Sequence, residues 1–204
     1  MLFDDTYKTI EAASTGQFKE RGSKFIAKAY PVRDEKQIKE ILNNSRKEYH
    51  DARHHCYAFR LGFDKLVYRV NDDGEPHGSA GMPIYGQLMS NDLTNTLVVV
   101  IRYFGGTKLG IPGLINAYRT ATRAALDNAA IITKTVKDVY EIKFEYPKIN
   151  DVMKILKKDE IEQISTHYDL SCKITIAIRQ NGSTKLYDKL KKMDGVSIKY
   201  TKTI

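Results

Sequence analysis

The sequence predicts an α+β fold built from two α/β-sandwich domains. Segments in which apolar and polar residues alternate, typical of half-buried strands, are interleaved with segments of helical apolar spacing. Residues 97–101 are apolar at every position, which indicates a central strand of a sheet covered on both faces. The last third of the chain repeats this mixture in the order β-α-β-β-α-β, which is typical of ferredoxin-like domains.

The first elements follow from local pattern. Residues 18–32 interleave basic and aromatic residues and predict an opening hairpin. Asp34 then predicts a helix N-cap, with Gln37 three residues later. Apolar residues recur at helical spacing beyond it, at Ile38, Ile41 and Tyr49.

A second hairpin and a helix complete the first domain. Residues 57–61 alternate as a half-buried strand, and residues 66–70 follow after a short turn. A short helix is expected after residues 78–83. Pro112 is well placed in the first turn of a longer helix that extends to Leu126.

The second domain shows a cleaner periodicity. Strands are expected over 140–146, 161–166, 170–179 and 196–200, with Leu170 among the inward residues of the third strand. Helices are expected from Ile149 and from the segment Asn181-Gly182-Ser183. The polar segment 134–137 lacks periodicity, so we place one domain over residues 1–134 and the other over 138–204.

The composition of the chain limits the classes of protein to which it can belong. The chain has 204 residues, of which 42% are hydrophobic, and this is enough to build cores. It has no run of 18 apolar residues and no signal-like N-terminal order, and its two cysteines form no disulfide framework. We therefore expect a cytoplasmic protein that does not enter the membrane. The net charge of +8 favours partners that carry phosphate.

The most informative segment is residues 71–118, which holds 8 of the 13 glycines. Glycine at this density indicates positive φ angles or close backbone contacts. The segment reads Asn-Asp-Asp-Gly-Glu-Pro at 71–76, Gly-Ser-Ala-Gly-Met-Pro at 78–83 and Arg-Tyr-Phe-Gly-Gly at 102–106, with Lys-Leu-Gly at 108–110 and Gly-Leu at 113–114. These blocks, in this order and spacing, resemble the IMPACT/YigZ family, and the likeness covers about residues 15–130. His77 departs from the small hydroxyl residue expected there.

The resemblance implies a fold and a cellular process. In this family the shared domain is similar to domain IV of elongation factor G, a ribosomal-protein-like βαβ fold. The ferredoxin-like βαββαβ domain of the bacterial members is similar to domain V. RNA or the ribosome is therefore the implied partner. Eukaryotic relatives regulate translation through a protein partner, but they carry an additional N-terminal domain for which this chain has no room.

Within the glycine-rich segment we expect a site for phosphate. Gly105 and Gly106 end the buried strand, and Gly110 opens the next helix, whose free N–H groups and dipole favour an anion. The pattern is neither a P-loop nor a Rossmann fingerprint. The predicted phosphate-binding or nucleic-acid-binding set is Lys24, Arg53, Arg102, Tyr103, Gly105, Gly106, Lys108, Gly110, Arg119 and Arg123. The alternative is tight packing of strand on helix with solvated charges.

Two other clusters of side chains contain residue types that can bind a metal ion. Asp72, Asp73 and Glu75 could hold Mg²⁺, although an Asp-Gly turn explains them better. The segment from His50 to Cys56 contains three histidines, but the helix is expected to end near Tyr49, which separates the His50–His54 pair. We therefore expect neither a metal nor another cofactor. Ser79 has no adjacent base and is not expected to be a nucleophile.

Aromatic and basic residues next to the loop and in the second domain are further candidates for contacts with a nucleic acid. Phe104 is expected to lie in the core, whereas Tyr103 could stack on bases. In the second domain Lys143, Lys173 and Arg179 favour a solvated face, since Glu141 and Glu145 dilute their charge.

The leading functional hypothesis is an RNA- or ribosome-binding protein in translation, which binds through phosphate contacts rather than catalysing a reaction. One alternative is an enzyme acting on a phosphorylated small molecule or nucleotide. The other is a regulator that binds only a protein partner. The sequence leaves the oligomeric state open.

Overall fold

The computed structural model describes residues 5–169 and 171–204. The chain is a mixed α/β protein with antiparallel sheets, and it divides into two compact units. One unit is formed by Tyr7–Lys134. The other is formed by Thr135–Ile204 together with residues 5–6. Within the described residues no helix has the length and hydropathy needed to cross a membrane.

The first unit is built on a five-stranded antiparallel sheet with the order β2-β3-β6-β4-β5. Its elements are β1 (Thr6–Ile10), β2 (Ser14–Glu20), β3 (Ser23–Pro31), α1 (Glu35–Glu48), β4 (His54–Leu61), β5 (Val67–Asn71), α2 (Gly81–Ser90), β6 (Thr96–Tyr103), α3 (Gly110–Asp127) and β7 (Ile131–Thr135). The strand predicted over 97–101 lies at the centre of this sheet, as expected.

Helices cover both faces of the five-stranded sheet. Ile38 of α1 packs with Val99 and Ile101 on one face. On the other face Leu88 of α2 and Ala117 of α3 pack with alternate residues of β3, β4 and β6. Double coverage explains why β6 is apolar from Leu97 to Ile101, because a strand buried on both faces has no polar side.

The N-terminus of α1 has the predicted cap. The Asp34 side chain accepts a hydrogen bond from the Gln37 N–H at 2.8 Å, and the Gln37 side chain accepts one from the Arg33 N–H at 2.8 Å. The first bond satisfies a backbone donor that the first helical turn leaves free, and the second joins the residue before the cap to that turn.

The polar segment 134–137, in which the sequence showed no periodicity, is instead part of two strands, and this interpretation is corrected. The strand β7 ends at Thr135 and β8 begins at Lys137, so that only Val136 lies between them. The strand β7 pairs with β1 in a two-stranded sheet. The Val136 N–H donates to the carbonyl of Asp5 at 2.6 Å. The polar residues of this segment therefore belong to paired strands and not to an unpaired connection.

The second unit has the order β-α-β-β-α-β and a four-stranded antiparallel sheet with the order β11-β8-β10-β9. Its elements are β8 (Lys137–Glu145), a 3₁₀ turn (Tyr146–Lys148), α4 (Ile149–Lys158), β9 (Glu162–His167), β10 (Ser171–Arg179), α5 (Gln180–Lys191) and β11 (Val196–Thr203). Leu170, expected inside the third strand, lies outside the described residues. Asp5 is held by Arg179, whose Nη2 lies 2.7 Å from Asp5 Oδ1.

Candidate functional site

The glycine-rich segment meets the start of β3 at one end of the five-stranded sheet. Lys24 is the cross-strand partner of Tyr103, and His54 is the partner of Arg102. The backbones of Lys24, Tyr103 and Arg53, which directly precedes β4, therefore lie at the same end of three adjacent strands. The loop 104–109 and the start of α3 continue from there.

Gly105 is required by a close contact between backbones. A Cβ atom at this position would lie 1.9 Å from the carbonyl carbon of Gly22. The Gly105 N–H also donates to the hydroxyl of Ser23 at 3.1 Å. The loop thus rests against the turn between β2 and β3, and only glycine permits this approach. Gly106 and Gly110 instead have positive φ angles of 85° and 71°.

Arg102 does not have the predicted role of an exposed phosphate ligand. It is 6% exposed, and its Nη1 donates to Glu75 Oε1 at 2.6 Å. Its guanidinium carbon lies 5.4 Å from the ring centre of Phe25 and 5.6 Å from that of Phe104. Because a buried carboxylate and two rings occupy this guanidinium, we correct its assignment from ligand contact to internal support.

Glu75 joins further buried groups into what we call the Glu75 network, which consists of Cys56, Glu75, Arg102 and Tyr118. The Tyr118 hydroxyl donates to the same Glu75 oxygen at 2.7 Å, and the Cys56 sulfur lies 3.3 Å from that hydroxyl oxygen. Burial raises the pKa of both Tyr118 and Cys56. Both groups therefore stay protonated at neutral pH.

The acidic turn before α2 organises backbone rather than a metal. Asp72 accepts hydrogen bonds from the N–H groups of Gly78, Ala80 and Gly81 at 2.8–3.0 Å, and so caps α2. Burial opposes ionisation, but these N–H groups outweigh it and lower the pKa of Asp72. Asp73 accepts from Arg46 at 2.8 Å and from the His55 N–H at 2.6 Å.

Since Glu75 is also engaged, the three carboxylates considered for Mg²⁺ each have partners within the protein. Nowhere in residues 5–169 or 171–204 do three His, Cys, Asp or Glu side chains form a group that could hold a metal ion. Ser79 is buried, and its hydroxyl donates to the Pro76 carbonyl at 2.6 Å. The serine is therefore not placed as a nucleophile.

Phe104 lies on the surface, contrary to the expectation that it belongs to the core. Its side chain is 54% exposed, while the guanidinium of Arg102 lies close to its ring. Tyr103 is half-buried, and its hydroxyl donates to Asp51 at 2.7 Å, a bond that together with burial raises the pKa of Tyr103 to about 12. Of the two aromatic residues, Phe104 is therefore the more exposed.

Three of the predicted cations remain available at this end of the sheet. Lys24 is half-buried, and Arg53 and Lys108 are exposed. Within the part of the chain that the structure describes, no carboxylate lies within 4 Å of these three cations. We use the name Phe104 surface for Phe104 together with Lys24, Arg53 and Lys108.

The other two predicted cations lie further along α3. Arg123 is 3.6 Å from Asp127 on the same helix, with both side chains exposed. Arg119 lines a groove between α2 and α3. In the second unit, Glu141 lies between Lys143 and Lys173, at 3.2 and 2.6 Å, and offsets both charges.

Sequence reasoning missed the Glu75 network. Glu75 and Arg102 are 27 residues apart, and Glu75 and Tyr118 are 43 apart. No local spacing links positions so far apart. The one available signal was an arginine at the end of an otherwise apolar strand, since a buried arginine requires a carboxylate partner.

Comparison with known proteins shows a family model, curated relatives and solved structures to which this chain is similar. The model of the Impact N-terminal domain matches residues 21–126, slightly more than half of the chain. IMPACT family member YigZ of Escherichia coli (strain K12) is 32% identical over 158 residues, which cover 76% of this chain and 78% of that protein. The crystal structure of a hypothetical protein aligns with a TM-score of 0.72 at 27% identity, covering 97% of this chain and 98% of the other.

A solved two-domain protein, Yih1, is described as a translational regulator. It is 26% identical to this chain with a TM-score of 0.39, covering 58% of this chain and 48% of its own. At that score the likeness carries no inference about the present chain.

Proposed function

The chain belongs to the IMPACT family, and from that membership we propose that it binds single-stranded RNA through the Phe104 surface and acts in translation. The role in translation follows from the expectation, implied by the family resemblance, that the two domains are similar to domains IV and V of elongation factor G. The RNA contact is supported by geometry within the first unit.

The observation that carries the proposal is an exposed aromatic ring that contacts a buried cation. Three further cations without a carboxylate partner in the described residues lie at the same end of the sheet. Phe104 presents a ring of which 54% is exposed, close to the end of β6. Proteins that bind single strands combine such rings, on which bases stack, with positive charges that follow the phosphates. Lys24, Arg53 and Lys108 supply those charges at the same end of the sheet.

Arg102 has a positioning role in this proposal. Its guanidinium, paired with Glu75, lies over the rings of both Phe25 and Phe104. A planar cation against the inner face of a ring fixes that ring and leaves its outer face free. The base would therefore stack on Phe104 on the side away from Arg102.

The test is fluorescence anisotropy of a labelled single-stranded RNA of about 12 nucleotides, titrated with the full chain at about 50 and 250 mM salt. Phe104→Ala is expected to weaken binding about tenfold, within the range for loss of one stacked base. The double variant Lys24→Ala/Lys108→Ala is expected to lower the slope of log K against log salt by about 1.4, at about 0.7 per phosphate.

A charge-matched control separates a local contact from net charge. Lys36 and Lys39 lie in the first turns of α1, which follows the opposite end of β3, and both are exposed. The double variant Lys36→Ala/Lys39→Ala should leave the affinity and the salt slope unchanged. Equal losses in both double variants would show only non-specific attraction, and unchanged binding in Phe104→Ala would exclude the stacking contact.

Co-sedimentation with ribosomes tests the link with translation separately. The unaltered chain is expected to sediment with ribosomes at low salt and to be released at high salt. The Phe104→Ala variant should sediment less. Binding to the oligonucleotide without any binding to ribosomes would keep the RNA contact and remove the role in translation.

A further inference from the structure

A groove of about 410 Å³ lies between α2 and α3, and no residue of the Phe104 surface lines it. Its lining is formed by Gly78, Met82, Pro83, Gly86, Gln87, Ser90, Ile115 and Arg119. All of these residues belong to the first unit. The lining is mainly apolar or uncharged, with one cation.

Gly86 keeps this groove open. It lies in the interior of α2, and a Cβ atom built there would meet no other atom within 4 Å. Its φ angle is not in the positive range that favours glycine. Alanine would therefore fit and would strengthen the helix, because glycine is unfavourable in a helix interior. No atom of the described part of the chain fills this space, so a side chain longer than that of alanine would extend into the groove and compete with a molecule bound there.

The two helices that form the groove also expose large apolar side chains. Met82 is 50% exposed and Ile111 is 52% exposed, while Met89, on the turns of α2 beyond Gly86, is 54% exposed. Methionine adapts its shape to different apolar partners and is common at surfaces that bind peptides. Neighbouring exposed apolar residues of this kind are a feature of interaction sites.

Arg119 gives the groove its charge preference. It is the one charged residue of the lining, and it is exposed. Its guanidinium has no carboxylate within 4 Å in the part of the chain that the structure describes. An apolar groove with a single unpaired cation is complementary to a segment that carries apolar and acidic side chains. RNA is a poorer fit, since the lining offers no second cation and no aromatic ring.

We propose that the groove between α2 and α3 binds an acidic amphipathic segment of a partner protein, with apolar side chains over Gly86 and a carboxylate on Arg119. This is a helix-in-groove mode of recognition. It uses a surface other than the Phe104 surface, so the two activities can be lost independently.

The test uses three labelled probes with the full chain, measured by fluorescence anisotropy. The first is a helix-forming peptide of about 16 residues with leucine on one face and glutamate elsewhere; the second carries lysine in place of glutamate. The third is the single-stranded RNA. The variants are Gly86→Leu with Gly86→Ala as control, and Arg119→Glu with Arg123→Glu, equal in charge and one turn further along α3, as control.

We expect saturable binding of the acidic peptide and none of the basic one. Gly86→Leu and Arg119→Glu should each raise the Kd about tenfold or more, while both controls stay within about twofold. Gly86→Ala should raise the Tm by about 2–4 °C, and Gly86→Leu should not lower it, since leucine is a good helix former at an open position. A folded Gly86→Leu variant keeps the test independent of stability.

Four outcomes would overturn the proposal. The first is no saturable binding of the acidic peptide up to about 1 mM, and the second is equal binding of the basic peptide. The third is a self-association of the chain, seen by analytical ultracentrifugation, that Gly86→Leu abolishes, because a second copy would then occupy the groove. The fourth is loss of RNA binding in Gly86→Leu and Arg119→Glu with both controls intact.

Discussion

The Arg102 guanidinium lies 2.6 Å from the Glu75 carboxylate, and the two side chains are 7% and 4% exposed. This pair connects the end of the central strand with the acidic turn before α2. It also lies beneath the exposed ring of Phe104. The pair therefore links the interior of the first unit to the surface proposed for RNA.

Breaking this pair should be costly. Glu75→Gln leaves the Arg102 charge buried without a counter-ion, and removal of one partner of a buried pair typically costs about 3–5 kcal/mol. Urea unfolding of the variant should show a loss in that range. Arg123→Gln, which removes a pair whose side chains are 74% and 68% exposed, should change the free energy of unfolding by less than about 0.5 kcal/mol. Similar losses in the two variants would contradict the buried position of the pair.

Gly105 and Gly106 are neighbours with different requirements. In Gly105→Ala the new Cβ meets the backbone of Gly22 at 1.9 Å, so a strand end or a turn must move. We expect a loss of about 3 kcal/mol or more in unfolding free energy. At Gly106 a Cβ meets nothing within 4 Å, and only the positive φ opposes alanine, at about 1–2 kcal/mol. If Gly106→Ala proved the more damaging in thermal unfolding, the close contact at Gly105 would be refuted.

Much of the fold follows from local patterns. The Asp34–Gln37 cap, the alternation over 57–61 and the apolar run over 97–101 each identify an element on its own. The small sheet of β1 and β7 could not be found in this way. Its strands are the first and the last strand of the first unit in the sequence, and residues of β7 such as Thr133 and Lys134 are exposed.

The site was less predictable because its roles depend on contacts between distant residues. Hydrophobicity places Phe104 in the core, but the ring lies beyond the end of β6 and packs on a charged group. Charge places Arg102 on the surface, but Glu75 compensates it inside. Neither assignment can be corrected from sequence spacing, since each depends on which strand ends meet.

Both cysteines should be unreactive in the folded protein. Cys56 and Cys172 are each fully buried, and burial raises the pKa of the Cys56 thiol. The thiolate is the reactive form, so modification by a disulfide reagent should be slow at neutral pH and fast in denaturant. Counting reactive thiols with and without urea checks this expectation. Rapid labelling of Cys56 in the native protein would show that the Glu75 network opens.

His55 should make stability depend on pH near neutrality. Its ring is buried, and Nδ1 lies 4.0 Å from Asp73 Oδ2. Burial, assisted by the Arg46 charge, lowers the pKa of His55 below its ordinary value of 6.5, although Asp73 opposes the shift. The unfolded chain therefore binds a proton near that pH and the folded chain does not.

The contribution of His55 is thus complete above its unfolded pKa, and it decreases as the pH falls below that value. Thermal unfolding should show a lower Tm at about pH 5.5 than at about pH 7.5. His55→Leu places an apolar side chain on the face of β4 that packs against α1, and it should flatten this dependence. His77→Gln, at an exposed position, should leave it unchanged. An unaltered slope in His55→Leu would assign the pH dependence to other groups and would show that the folded protein accommodates a charged His55.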